Sequence, residues 1–172
     1  SIVNGDVAGA MNGAWILASV QTAEDQSGKW VVTDMPRLEV DGGTNYSNNG
    51  GSSWAVTTSS ASPDLAIDFL NKTFAGSVPF YEEILPSSGA IATYLPAGDS
   101  DVYATPQEFF GGQPIYQLIS EMGAEVPSNN TGVYYYEARD AVGTALQNVA
   151  GGADIESELQ GAQDTVEFQM GG

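Results

Sequence analysis

Thr131-Gly132-Val133-Tyr134-Tyr135-Tyr136-Glu137-Ala138-Arg139-Asp140-Ala141-Val142, running on to Ala150, is the stretch on which the reading of this chain turns. Ala138, Ala141, Val142, Ala145, Leu146 and Val149 recur at helical spacing, which predicts an amphipathic helix with a small, apolar face. Thr131 stands where an N-cap is expected, and Gly151-Gly152 favours a left-handed C-terminal cap. A helix of this kind would normally bury one aromatic at its start, and this one leads with three tyrosines. Successive helical side chains point ~100° apart, so the three rings cannot share one direction. At least one is expected to face a cleft. There it is either an ordinary surface tyrosine or a ring that stacks on a ligand.

Working outward, composition narrows the chemistry. The chain has 172 residues, enough for one domain with a sizeable core, and its 42% hydrophobic and 10% aromatic content is that of a globular protein. No apolar run approaches the ~20 residues of a membrane helix. Acidic residues number 22 against four basic ones (Lys29, Arg37, Lys72, Arg139), a net charge of −18. Such a surface repels nucleic acid and anionic lipid and disfavours phosphorylated ligands. Solubility in a crowded or salty exterior accounts for the charge itself. There is no cysteine and no histidine. Disulfide scaffolds, Cys/His zinc sites, Ser-His-Asp triads and cysteine nucleophiles are therefore excluded, and chemistry is left to carboxylates, hydroxyls, amides and aromatics.

Upstream, Gly5 to Met11 reads as a short strand of small residues, leading through the turn Asn12-Gly13-Ala14-Trp15 into a helical run with Ile16, Leu17 and Val20. Trp15 is either near a site, since ligands gather at strand ends in α/β folds, or a core plug. Lys29 to Pro36 is a second strand ended by proline. Residues 41–53 form a Gly/Asn/Ser/Thr loop with turn signals at Asp41-Gly42-Gly43 and Asn48-Asn49-Gly50-Gly51, and it feeds a strand at Trp54 to Thr58. Ser62-Pro63-Asp64 starts a helix whose buried stripe is Leu65, Ala66, Phe69, Leu70 and Phe74. Val78 to Leu85 is a shorter helix stopped by Pro86, and Ile91 to Leu95 is extended.

Residues 97–112 form a loop in which Asp99 and Asp101 have calcium-loop spacing. The sixth-position glycine is missing and the later acid misplaced, so no metal site is assigned. Residues 112–126 are helical through Ile115, Leu118, Ile119 and Met122, and Asp154 caps a last helix with Ile155, Leu159, Ala162 and Val166 inward. Glycosylation sequons begin at Asn45, Asn71 and Asn129, a pattern common by chance. No acid sits in a motif that marks it as a glycosidase carboxylate.

Taken in order, these pieces resemble the C-terminal part of bacterial extracellular solute-binding proteins of the sugar-binding, maltose-binding-protein-like family. Gly5 to Trp15 is similar to that family's "GKvAM-x-xNGxW" segment, and Gly50-Gly51-Ser52-Ser53-Trp54-Ala55-Val56 and Ser62 to Leu70 follow at the family's distance. Phe109-Phe110-Gly111-Gly112-Gln113 looks like a segment of oligosaccharide binders. The aromatic cluster before Ala138-Arg139, then Asp154 to Gln163, matches the terminal helix pair. Such proteins are usually more than twice this long.

The resemblance implies an α/β fold: part of a two-lobed, periplasmic-binding-protein-like architecture, with helices packed around a small mixed sheet made from strands near 6–11, 30–35 and 53–58. It implies that residues 1–172 are mostly the second lobe, with hinge-crossing and first-lobe segments near 50–96 and the N-terminal half absent.

It further implies a monomeric, non-enzymatic lipoprotein, extracellular or periplasmic and tethered to the membrane. Such a protein takes a sugar or oligosaccharide between two lobes and delivers it to the permease subunits of an ABC transporter, with no cofactor. By the same resemblance Trp15, Gly51, Ser52, Ser53, Trp54, Tyr134 and Tyr135 are the candidate ligand residues, the rings stacking on pyranose faces and the small polar residues meeting hydroxyls. Strand alternation leaves Trp54 either a platform or a core residue. The alternatives are a carboxylate-based glycoside-active enzyme fragment and a surface or adhesive domain.

Overall fold

The computed structural model describes residues 2–48, 51–128 and 131–171. The Asn49-Gly50 step of the loop and the sequon at Asn129 lie outside them. The chain divides into two compact units, Ser1–Pro127 and Ser128–Gly172.

The first unit carries α1 (Ile16–Val20), a 3-10 turn at Glu24–Gln26, α2 (Pro63–Lys72), α3 (Val78–Ser88), α4 (Leu95–Gly98), a second 3-10 turn at Glu108–Phe110, and α5 (Ile115–Ala124). Its core is Leu17 of α1, Leu85 of α3, Tyr103, Phe110, and Ile115 and Tyr116 of α5. Trp30, Val32, Ile91, Val102 and Ile119 pack against that cluster.

The expected small mixed sheet is absent: among the described residues no strand forms, and the one β contact is an isolated antiparallel bridge between Gln107 and Gln113. Apolar alternation marks the faces a strand would have, but a ladder also needs a neighbouring edge to bond with. The segments 6–11, 30–35, 53–58 and 91–95 do not supply that edge to one another. Around 30–35 the backbone is satisfied by side chains instead. The Val32 N–H donates to Gln113 Oε1 at 2.8 Å, and Gln113 Nε2 donates to the Val32 carbonyl at 3.1 Å. Met35 is satisfied by Asn45 in a mixed way: the Asn45 side-chain Nδ2 donates to the Met35 carbonyl at 3.0 Å, and the Asn45 main-chain carbonyl accepts from Met35 N–H at 3.2 Å. The amide of Gln113 thus plays a strand's part with a single side chain. It is aimed there by Gly111 and Gly112, both at positive φ (64° and 82°), a conformation that excludes most side chains. A Gln113→Ala chain is expected to lose about 1–3 kcal/mol, because a half-buried N–H and carbonyl lose their partner together. Gln113→Glu keeps the acceptor and loses the donor, so a denaturant melt should place it between the two.

Two helices also depart from expectation. α2 begins at Ser62-Pro63 as predicted, but none of its residues is buried: Leu65 is 69% and Phe69 55% exposed. Its apolar stripe is only partly covered, Ala66 and Leu70 being half-buried on the side that faces Trp54 and Val56. In α3 the chain does not stop at Pro86, which lies inside the helix, but at Gly89, whose φ of 63° closes it. Pro86 removes the N–H that would bond the Glu82 carbonyl and its ring crowds that carbonyl, so the helix runs only two residues further before it is capped. The Ser77 hydroxyl caps the other end, accepting from Phe80 N–H at 3.1 Å.

The second unit is a helical hairpin, α6 (Tyr135–Ala150) and α7 (Ile155–Gly171), packed on each other through Ala145 and Ala162, the buried residues of the pair. Small side chains at the crossing let the two backbones approach closely. Ile155 and Leu159, expected inward, are 52% and 42% exposed. The C-terminus of α6 is a Schellman cap: Gly152 has φ 101°, Ala153 N–H donates to the Asn148 carbonyl at 3.0 Å and Gly152 N–H to Val149 at 2.9 Å. At the start of α6, Thr131 is not the cap. The chain makes a turn first, Tyr135 N–H donating to the Gly132 carbonyl at 3.1 Å, and Tyr134 takes the cap position without a side-chain bond.

Asp154 caps α7 as expected, its Oδ1 accepting from Ser157 N–H at 2.9 Å. That bond holds the carboxyl below its ordinary value of 3.8. A lowered folded-state pKa stabilises above the unfolded value, and the contribution disappears as pH falls through the folded one. The first turn of α7 should therefore fray below about pH 4. The amide shift of Ser157 should follow the transition, and Asp154→Asn should keep the cap while losing its pH dependence.

Candidate functional site

The start of α6 brings Tyr135 and Tyr136 together, with ring centroids 5.3 Å apart and planes at 73°. Both are exposed, Tyr135 by 38% and Tyr136 by 64%, while Tyr134 is half-buried. One turn on, the Arg139 guanidinium carbon lies 5.1 Å from the Tyr136 ring centroid. Arg139 is itself anchored, its Nε and Nη2 donating to Asp140 Oδ1 at 3.1 and 2.9 Å. The hydrogen bond and charge of Asp140 raise the guanidinium pKa, so Arg139 stays cationic. Glu137 adds a carboxylate oxygen, Oε2, that is shielded from solvent and has no hydrogen-bond partner among the described residues.

Tyr136 and Arg139 were not among the residues expected at the site. The signal that could have found them is their i, i+3 spacing, which brings a cation over an aromatic on one helix face.

Trp15 occupies the N-cap position of α1 and is 58% exposed, so it is not a core plug. Its ring folds back over Gly13, where any side chain would collide with the indole. The turn is closed by Ile16 N–H donating to the Gly13 carbonyl at 3.2 Å, and Gly13 N–H donates to Asn12 Oδ1 at 2.8 Å.

Gly51, Ser52 and Ser53 are exposed, and Gly51 has a φ of 70° that favours glycine. Trp54 follows, 67% exposed, stacked at 4.7 Å on Phe74. Phe74 in turn meets Phe80 at 4.8 Å and Tyr81 at 6.4 Å, both edge-on. Trp54 is therefore the outer member of an aromatic stack. Beside it lies an open groove of about 300 Å³ lined by Trp54, Val56, Thr57, Ser60, Phe69 and Leu70 among others. No carboxylate lines the groove. The backbone N–H and carbonyl groups of residues 54–56 make no hydrogen bond among the described residues.

The seven expected residues are Trp15 on its own turn, Gly51, Ser52 and Ser53 on the exposed segment that leads to Trp54 at the groove, and Tyr134 and Tyr135 in the second unit. Each place presents an exposed aromatic face. None is a metal centre: among the described residues, no group of three or more potential ligands could hold an ion.

No family model matches the chain, and no solved structure matches it. Over 170 residues, 99% of its length, it is 37% identical to the lactose-binding protein of Rhizobium radiobacter. The chain spans 40% of that protein's length.

Proposed function

We propose that this chain is part of a sugar-binding protein, non-enzymatic, to which it contributes the C-terminal part, with residues near 50–96 crossing between lobes. The whole protein takes a sugar or oligosaccharide outside the cytoplasmic membrane, to which it is tethered, and hands it to the permease subunits of an ABC importer. The observation that carries the reading is the 37% identity to a lactose-binding protein along 99% of the chain. The exposed rings of Trp15, Trp54 and Tyr135 support it, because flat aromatic faces beside hydroxyls and amides suit a pyranose. The extreme negative charge also suits an uncharged ligand rather than an anionic one. A groove without a carboxylate offers no acid/base pair for glycoside hydrolysis, so turnover of chromogenic glycosides is not expected.

Saturation-transfer NMR with lactose, cellobiose and maltose at millimolar concentration tests the reading directly. Transfer to at least one of these sugars is expected from the whole protein, and none from any of them there would overturn sugar binding. The chain's own affinity should be weaker than micromolar, because 40% of the relative's length builds only part of a cleft and leaves the sugar half solvated. Micromolar or tighter binding by calorimetry would contradict that.

A further inference from the structure

The turn that carries Trp15 holds the atoms of a ring-closing reaction within reach of one another. Asn12 is exposed and lies outside any helix, ahead of α1. Gly13 N–H donates to Asn12 Oδ1 at 2.8 Å, and the side-chain carbon Cγ is bonded directly to that oxygen. A backbone nitrogen is thereby kept beside the side-chain amide of the residue before it, the pair of groups that closes a five-membered imide. Glycine adds no side chain to obstruct that closure. At position 13 it is also required, because a Cβ there would collide with the Trp15 indole. Seating the ring and leaving the nitrogen unshielded are therefore one choice of residue. The other described Asn-Gly step differs: Gly5 N–H donates to the Ile2 carbonyl at 3.1 Å, which ties its nitrogen into a turn with a main-chain acceptor. The Asn49-Gly50 step lies outside the described residues.

We propose that Asn12 is a site of spontaneous modification, deamidation to aspartate and isoaspartate, and that the change unseats Trp15. The Gly13 nitrogen attacks Asn12 Cγ and gives up its proton to solvent base. A new N–Cγ bond forms, the Cγ–Nδ2 bond breaks, and Nδ2 takes a proton from water and leaves as ammonia. Water then opens the cyclic imide. Attack at Cγ restores the main chain and leaves an aspartate. Attack at the main-chain carbonyl carbon of residue 12 routes the chain through Cγ and leaves an isoaspartate. No oxidant, reductant or cofactor enters. Holding nucleophile and electrophile together is what makes the step faster here than at a free Asn-Gly pair. Either product adds a carboxylate next to the residue that lies under the indole. Isoaspartate also lengthens the main chain by a methylene just before the turn that Ile16 N–H closes on the Gly13 carbonyl at 3.2 Å. Trp15 is one of the rings that the sugar-binding reading gives to the ligand, so the site weakens as the protein ages; the chemistry itself does not depend on that reading.

To test this, the chain is aged in mildly alkaline buffer, folded in one sample and in concentrated urea in another, then digested with an endoprotease that cuts before aspartate. Cleavage at Asp6 separates Asn4 from Asn12, and mass spectrometry reads the conversion of each. In the folded chain Asn12 is expected to convert about tenfold faster than Asn4, and in urea the two rates should converge because the positioning is gone. A carboxyl methyltransferase specific for isoaspartate, supplied with labelled S-adenosylmethionine, should label the peptide that contains residue 12. It should not label that peptide from Asn12→Gln, whose longer side chain would have to close a larger ring. The Trp15 indole N–H signal should shift as product accumulates. That of Trp30, which donates to Gln26 Oε1 at 2.7 Å, should stay in place and show that the fold persists. Equal rates at Asn4 and Asn12 in the folded chain, or a difference that survives in urea, would overturn the assignment of the site. An unmoved Trp15 signal in the modified chain would overturn the effect on the ring. Sugar binding stands or falls separately, on the transfer experiment with the whole protein.

Discussion

A Tyr103→Ala chain is expected to lose about 3–5 kcal/mol of folding stability, the range for deleting a fully buried aromatic side chain. Tyr103 is 0% exposed and central to the first unit's core. It packs edge-on to Tyr116 at 6.5 Å, and its hydroxyl accepts the Ala92 N–H at 3.1 Å. Deletion leaves a cavity among Leu85, Ile115 and Tyr116 and strands that N–H. Tyr103→Phe separates the two effects, since only the hydrogen bond is lost, at about 1–3 kcal/mol. A second handle is pH. Burial pushes the phenols of Tyr103, Tyr116 and Tyr81 above their ordinary value of 10.0. A raised folded-state pKa gives stability that is complete below the unfolded value and lost as pH rises through the folded one. Denaturant midpoints should therefore fall above about pH 10, and less steeply in Tyr103→Phe. A Tyr103→Ala chain as stable as the parent would remove this residue from the core.

For Tyr135→Ala the expected loss is in binding: about 1–3 kcal/mol of sugar affinity, the scale of an aromatic hot spot. Folding stability should change by about 1 kcal/mol or less, because a ring 38% exposed gives up little burial beyond its contact with Tyr136. Chemical-shift titration and a denaturant melt on the same variant distinguish the outcomes. A large loss of stability with unchanged affinity would make Tyr135 a packing residue and take it out of the site.

The parts of this fold that were legible in the sequence are those decided within a few residues. Ser62-Pro63 opens α2 through the preset backbone of a proline at the first helical position, without a side-chain cap bond, while Asp154 caps α7 and Gly152 closes α6 through local hydrogen bonds with local solutions. The sheet was misjudged because extended, alternating segments state their own preference and nothing about a partner edge. Gln113 shows the difficulty: its bonds to Val32 lie 81 positions away, and no local pattern announces a side chain standing in for a strand. Leu65 and Phe69 were expected to be buried because an amphipathic stripe tells which face is apolar, not what covers it. Composition and spacing left Trp15 open between a site and the core, and only its exposure decides against the core, while Tyr136 and Arg139 emerged only once ring geometry was known.

The clasp between Gln113 and Val32 also bears on the order in which the chain assembles. The helices α6 and α7 need bring together only segments joined by residues 151–154, an event available to the chain in its first microseconds. Closing the clasp requires an 81-residue excursion to return on itself, at an extra entropic cost of roughly 2–3 kcal/mol by the logarithmic scaling of loop closure. The helical hairpin therefore forms early and from local contacts alone, while the first unit waits on its longest-range partners, keeping Val32 and the surrounding apolar residues open to aggregation until Gln113 arrives.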